Sequence, residues 1–116
     1  MQNHPTPRPE HWEIDAGDAG VALLDIPPDA LRERSFEVFC SLSVAGLGDD
    51  ASHQMLVLVN GSQEWLRREA THAGSRDSLD YRFRRQVPAG QPLRVTASSE
   101  LHRARRLRLS ITADED

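Results

Sequence analysis

The run Met55-Leu-Val-Leu-Val59, followed at once by Asn60-Gly61, constrains this chain more than any other feature. Asn-Gly tolerates the positive φ that both central residues of a type I′ turn require, and that turn matches the natural twist of two antiparallel strands. A hairpin is therefore predicted, with one strand ending at Val59 and the next running from Ser62 to about Ala70. In an unbroken register Val59 faces Ser62, Val57 faces Glu64 and Leu56 faces Trp65. The outgoing strand then carries Met55, Val57 and Val59 on one face, and Gln54, Leu56 and Leu58 on the other. A strand that is apolar on both faces belongs in the middle of a sheet and is usually covered on both sides.

The rest of the chain alternates with a period of two. Trp12, Ile14 and Ala16 alternate with Glu13 and Asp15, and Val21–Ile26 forms a second short strand. Pro27-Pro28-Asp29 stops it, and Asp29 is placed to cap a single helical turn over 30–33. Phe36, Val38, Cys40, Leu42 and Val44 face one way, against Ser35, Glu37, Ser41 and Ser43, with Phe39 the exception. Leu79, Tyr81, Phe83, Arg85 and Val87 alternate with Asp80, Arg82, Arg84 and Gln86. Leu93, Val95 and Ala97 alternate with Arg94, Thr96 and Ser98. A connection over 99–103 leads to a last strand in which Leu107, Leu109 and Ile111 alternate with Arg106, Arg108, Ser110 and Thr112, followed by an acidic tail at 114–116. About eight short strands with turn signals between them, and no long helix, predict an all-β chain: an antiparallel β-sandwich of the jelly-roll kind. Residues 1–10, with Pro5, Pro7 and Pro9, read as an extended arm or linker, and 11–116 as one domain.

Composition excludes more than it selects. At 116 residues and 38% hydrophobic content, the chain can bury a core without a metal or disulfide. Nothing approaches the ~20 apolar residues of a membrane span. The opening residues lack the basic and apolar regions of a signal peptide, so cytoplasmic synthesis is the default; a virion-borne or lysis-released protein would look the same. Cys40, the single cysteine, lies on the apolar side of its strand and reads as a small buried hydrophobe. The basic residues are all Arg and none is Lys, as a high-GC bacterial or phage genome would give. Residues 1–58 hold ten Asp/Glu and three Arg, a charge of −7; residues 59–116 hold eight Asp/Glu and eleven Arg, a charge of +3. A net charge of −4 argues against nucleic acid as a partner.

Leu56-Val-Leu-Val-Asn-Gly61, Leu79-Asp-Tyr-Arg-Phe83 and Val87-Pro-Ala-Gly-Gln-Pro-Leu-Arg-Val95 together resemble galactose-binding-like jelly-roll modules, of the carbohydrate-binding type, over residues 54–97. The resemblance is one of strand and turn pattern. It implies a sandwich fold and a sugar-related role, and it carries no ligand-binding motif.

Catalytic chemistry finds little purchase. There is no Gly-x-Ser-x-Gly elbow, no phosphate-cradling Gly-rich loop, and the five histidines (His4, His11, His53, His72, His102) are scattered without metal-site spacing. Asp49-Asp50 offers too few oxygens for calcium and reads as solvated loop acids. We therefore expect no catalytic residue, metal or cofactor. The candidate binding residues are the outward guanidinium groups Arg82, Arg84, Arg94, Arg106 and Arg108, which suit carboxylate, sulfate or phosphate if they share a face, and the aromatic platforms Trp12 and Trp65, which suit a sugar ring. Solubilising surface charge and core or rim packing are the competing readings of the same residues. The expected function is a non-catalytic carbohydrate-binding module, for acidic glycans if the Arg residues act. The alternative is a structural or assembly subunit, such as a virion or appendage component. It would act through protein–protein contacts, with the acidic and basic halves packing head to tail in a homo-oligomer.

Overall fold

A computed structural model describes residues 8–116, and these form eight strands: β1 (His11–Asp15), β2 (Val21–Ile26), β3 (Arg34–Gly46), β4 (Ser52–Val59), β5 (Ser62–Ala70), β6 (Arg76–Val87), β7 (Leu93–His102) and β8 (Ala104–Glu115). They make two four-stranded antiparallel sheets, ordered β1-β8-β3-β6 and β2-β7-β4-β5. The pairings β4–β5, β3–β6, β2–β7 and β1–β8 are nested inside one another. The chain is thus one long hairpin, with the Asn60-Gly61 turn at its tip, rolled up so that β3–β8 and β4–β7 pairs close the two sheets. This is the jelly-roll sandwich. Asn60 has φ 49° and Gly61 φ 85°, the positive values the turn needs.

The alternating apolar positions meet between the sheets. Phe36, Val38, Cys40, Leu42 and Val44 of β3 and Leu109, Ile111 and Ala113 of β8 pack against Met55, Val57 and Val59 of β4 and Leu93, Val95 and Ala97 of β7. The central strands β3 and β4 bury one whole face each, which is why they are the most regular apolar alternations in the sequence. Cys40 has no exposed surface, and burial pushes its thiol up to about 12.

Several expectations need correction. The hairpin register slips by one between Val57 and Leu58, so Val57 faces Trp65 and Leu56 faces Leu66. A β-bulge takes in Glu64 as the extra residue and turns Trp65 inward. A second bulge on β8, at Leu107, puts Arg106 rather than Leu107 opposite the inward residue Val44. No helical turn forms at 30–33; the Asp29 carboxylate accepts a hydrogen bond from the Leu31 amide (2.9 Å) and the chain bends directly into β3. The 99–103 connection is mostly strand, and the acidic tail is the end of β8, with Asp114 opposite His11 and Glu115 opposite Phe36. Of the proline arm, Pro5 and Pro7 lie outside the described residues, whereas Glu10 is built into the fold.

Candidate functional site

The predicted Arg residues divide among three places. Arg82, Arg84 and Arg108 project from the outer face of the first sheet, Arg94 from that of the second, and Arg106 points between the sheets. Each has protein partners. Arg82 and Arg84 both donate to Glu37 (2.5 and 3.4 Å), and Arg82 also lies over the half-buried Phe39 ring, 4.7 Å from its centre. Those guanidinium groups hold the Glu37 carboxyl below the usual carboxylate range. Arg94 pairs with Asp25 (2.7 Å) and Arg108 with Asp15 (2.9 Å). Arg106 donates to the Ser99 hydroxyl (2.6 Å) and to the carbonyls of Ser99 and Asp18, bridging the sheets. In four of these cases a first-half carboxylate meets a second-half arginine, because the rolled hairpin lays one half of the chain on the other. Part of the charge asymmetry of the sequence is therefore neutralised inside the molecule.

Both tryptophans close edges of the sandwich. Trp65 stacks on Tyr81 of β6 (ring centres 4.7 Å apart, planes 12° apart), and Tyr81 in turn stacks on Phe83. The bulged Glu64 beside it accepts hydrogen bonds from Tyr81 (3.2 Å) and Arg85 (2.8 Å). At the opposite edge Trp12 packs on the core and donates its indole N–H to Glu10 (2.9 Å). Glu10 belongs to an ion network that sequence reasoning missed. It accepts from Arg34 (2.9 Å) and Arg32 (2.8 Å), while Arg32 also reaches Glu115 and Asp29. The Arg34 side chain is only 2% exposed, donates to the Pro27 carbonyl (2.8 Å), and leaves its Nε without a partner. Its signal was parity: Arg34 occupies the same inward side of β3 as Phe36 and Val38. His53 shares the inward side of β4 with Met55; it is buried, bonded to Thr71 (2.5 Å), and its Nε2 has no partner. Among the described residues, no three His, Cys, Asp or Glu side chains come close enough to hold a metal, and no helix is long and apolar enough to cross a membrane.

The outer face of the second sheet, which no other described residue covers, is the more apolar of the two outer faces. Register places Val21, Ser98, Leu56 and Leu66 in one row across β2-β7-β4-β5, and Leu23, Thr96, Leu58 and Gln63 in the next. Val21 is 57% exposed, Leu23 45% and Leu66 48%, with Leu56 and Leu58 half-buried between them. Five large aliphatic side chains share this four-stranded face, Leu56, Leu58 and Leu66 side by side on β4 and β5, and Val21 and Leu23 on β2 across Ser98 and Thr96 of β7, a grouping of the kind that marks interaction surfaces. Polar residues border both ends: Asp25 and Arg94 beyond one row, Gln54, Arg68 and Glu100 beyond the other. A shallow hollow lies at the Gln54, Arg68 and Glu100 end of this face, and another, lined by Ser43, Arg76, Ser78, Leu107 and Arg108, on the first sheet's outer face.

With this geometry in place, the comparisons bear on the fold. No protein-family model matches the sequence, and no curated protein matches it. A chain of the T13 IBDV viral particle is similar in structure, with a TM-score of 0.56 at 11% identity over 93% of this chain and 31% of that one. This chain thus spans about a third of that neighbour's length. A chain of dimeric latent PorU from Porphyromonas gingivalis matches with a TM-score of 0.47 at 12% identity, over 90% of this chain and 11% of its own. The likeness is one of fold. The likeness to the viral-particle chain supports the β-sandwich and gives no specific support to a carbohydrate-binding module.

Proposed function

We propose that this chain is a non-catalytic assembly subunit that works by protein–protein contact through the outer face of its second sheet. The observation that carries the proposal is the set of aliphatic side chains Val21, Leu23, Leu56, Leu58 and Leu66, on a face that no other described residue covers. Burying such a face contributes roughly 25 cal/mol per Å² of apolar surface, while leaving it in water invites association. The IBDV neighbour is part of a viral particle, a setting in which a similar sandwich is built into a larger assembly. A glycan-binding role has less support: both indoles are engaged within the sandwich, and the candidate arginines are paired with carboxylates or bonded across the sheets on separate surfaces.

The test is the size of the complex that contains the chain in extracts of the cells that naturally make it. Leu58→Glu is expected to reduce that size to the 13.0 kDa of the free chain. Ser43→Glu, on the other sheet's outer face, is expected to leave it unchanged. A complex indifferent to Leu58→Glu, or one disrupted only by Ser43→Glu, refutes the proposal. Binding to a panel of neutral and acidic glycans that is lost in Arg82→Ala/Arg84→Ala would favour the carbohydrate reading instead.

A further inference from the structure

We infer that the partner on the apolar face is a second copy of this chain, docked face to face about a two-fold axis that crosses the strands at the level of Ala97. This rests on the proposed role of that face and adds the identity and geometry of its occupant. Charge complementarity along the face selects this occupant. Along the outer side of β7 the order is Arg94, Thr96, Ser98, Glu100, with the aliphatic rows at the Thr96 and Ser98 levels. Arg94 and Glu100 therefore stand at opposite ends of the patch, six residues or about 20 Å apart along the strand.

A two-fold axis between two stacked sheets can run along the strands or across them. An axis along the strands, between β7 and β4, sets Arg94 over Asn60 and Glu100 over Gln54 of the second copy, and makes no ion pair. An axis across the strands, midway between the aliphatic rows, lays each strand over its own counterpart in reverse. Leu56 then meets Leu58, Val21 meets Leu23, and Thr96 meets Ser98. Arg94 meets Glu100 at one end and Glu100 meets Arg94 at the other. Opposite charges come together twice, and each aliphatic side chain of β2 and β4 falls on another. Strand directions stay nearly aligned, as in ordinary sheet-on-sheet packing. The resulting interface is isologous and closes as a dimer.

Size fixes the strength expected. Four strands at about 4.8 Å spacing and a length of about 20 Å give a face of roughly 400 Å² per copy. Both copies together bury on the order of 800 Å², below the ~1,600 Å² of a standard stable interface. The dimer is therefore reversible, with a micromolar or weaker dissociation constant.

Sedimentation equilibrium of the purified chain, from about 1 µM to about 1 mM, tests this. The expected result is a monomer–dimer equilibrium weakened at least ~100-fold by Leu58→Glu. Leu23→Glu, at a more exposed position, serves as the second variant if Leu58→Glu lowers the urea midpoint. Arg94 also holds Asp25 within its own chain (2.7 Å), so the exchange is made in an Asp25→Asn background: there Arg94→Glu and Glu100→Arg alone are each expected to weaken dimerisation about tenfold, and the two together to restore it to within about threefold. A monomer throughout overturns the inference; if Leu58→Glu still dissolves the native complex, the docking role of the face stands with a different protein as occupant. A dimer broken by Leu58→Glu but not restored by the double charge exchange overturns the axis. A dimer unaffected by either leucine variant overturns both the inference and the proposed role of the face.

Discussion

Replacing Arg34 by Met would open the corner where β1, β3 and the end of β8 meet, and the cost can be worked from the contacts. Arg34 is almost wholly buried, holds Glu10 through two hydrogen bonds (2.9 and 3.2 Å), satisfies the Pro27 carbonyl at 2.8 Å and lies over the Phe36 ring. Removing one partner of a buried ion pair costs about 3–5 kcal/mol, because the other charge is left desolvated. Glu10 is a quarter exposed (24%) and keeps Arg32 and the Trp12 indole, which places the loss at the lower end, about 3 kcal/mol. For a domain of this size that corresponds to a fall in Tm of about 12 °C. Urea unfolding followed by tryptophan fluorescence in a Trp65→Phe background measures it. Trp12 is then the sole indole and sits against Glu10, so it reports on the corner directly. Arg84→Ala, whose side chain is 68% exposed, is the control and should cost less than about 0.5 kcal/mol. A loss below about 1 kcal/mol for Arg34→Met would refute the claim that this buried charge locks the corner.

Three further outcomes follow from other parts of the structure. The Cys40 thiol, wholly buried and pushed up to about 12, should react with Ellman's reagent only on global unfolding; rapid modification in native buffer would contradict its packing. The same corner should depend on pH in two directions. The Arg32 guanidinium holds the Glu115 carboxyl below its ordinary 4.5, so that contact is fully present above 4.5 and lost as pH falls through the depressed value. Hydrogen bonds to Asp114 and Glu13 raise the His11 imidazole above 6.5, so its contribution is complete below 6.5 and lost as pH rises through the raised value. Exchange of the Glu10 amide, which donates to Glu115 at 3.0 Å, should therefore be slowest relative to the global rate between about pH 4.5 and 6.5. Finally, Gly46→Ala would place a methyl group 2.3 Å from the His72 carbonyl oxygen, and should destabilise the chain by about 2 kcal/mol or more; unchanged stability would show that the β3 end approaches the 71–75 segment less closely.

Much of the fold was legible because alternation is a local property. The Asn60-Gly61 tip, the inward faces of β3 and β4, and the inward place of Arg85 on β6 can all be read residue by residue. Bulges are not local in this sense. Glu64 and Leu107 look like any other strand residue, yet each shifts the register by one and so reassigns Trp65 and Arg106 from the outside to the inside. Pairing between distant segments is equally hidden, and it is what converts two oppositely charged halves into internal ion pairs such as Arg94 with Asp25. Strand β4 is instructive in both respects. Its two apolar faces did mark it as central, between β7 and β5. The expected cover on both sides is met on one: Met55, Val57 and Val59 are covered by the first sheet, whereas no described residue covers Leu56 and Leu58.

The measurement that bears most directly on that face is sedimentation of the purified chain beside its Leu58→Glu variant, at equal concentrations up to about 1 mM. The account predicts a concentration-dependent dimer for the native chain and a monomer for the variant, with the urea midpoint of the variant nearly unchanged. Identical behaviour of the two, whether both monomeric or both dimeric, would contradict it.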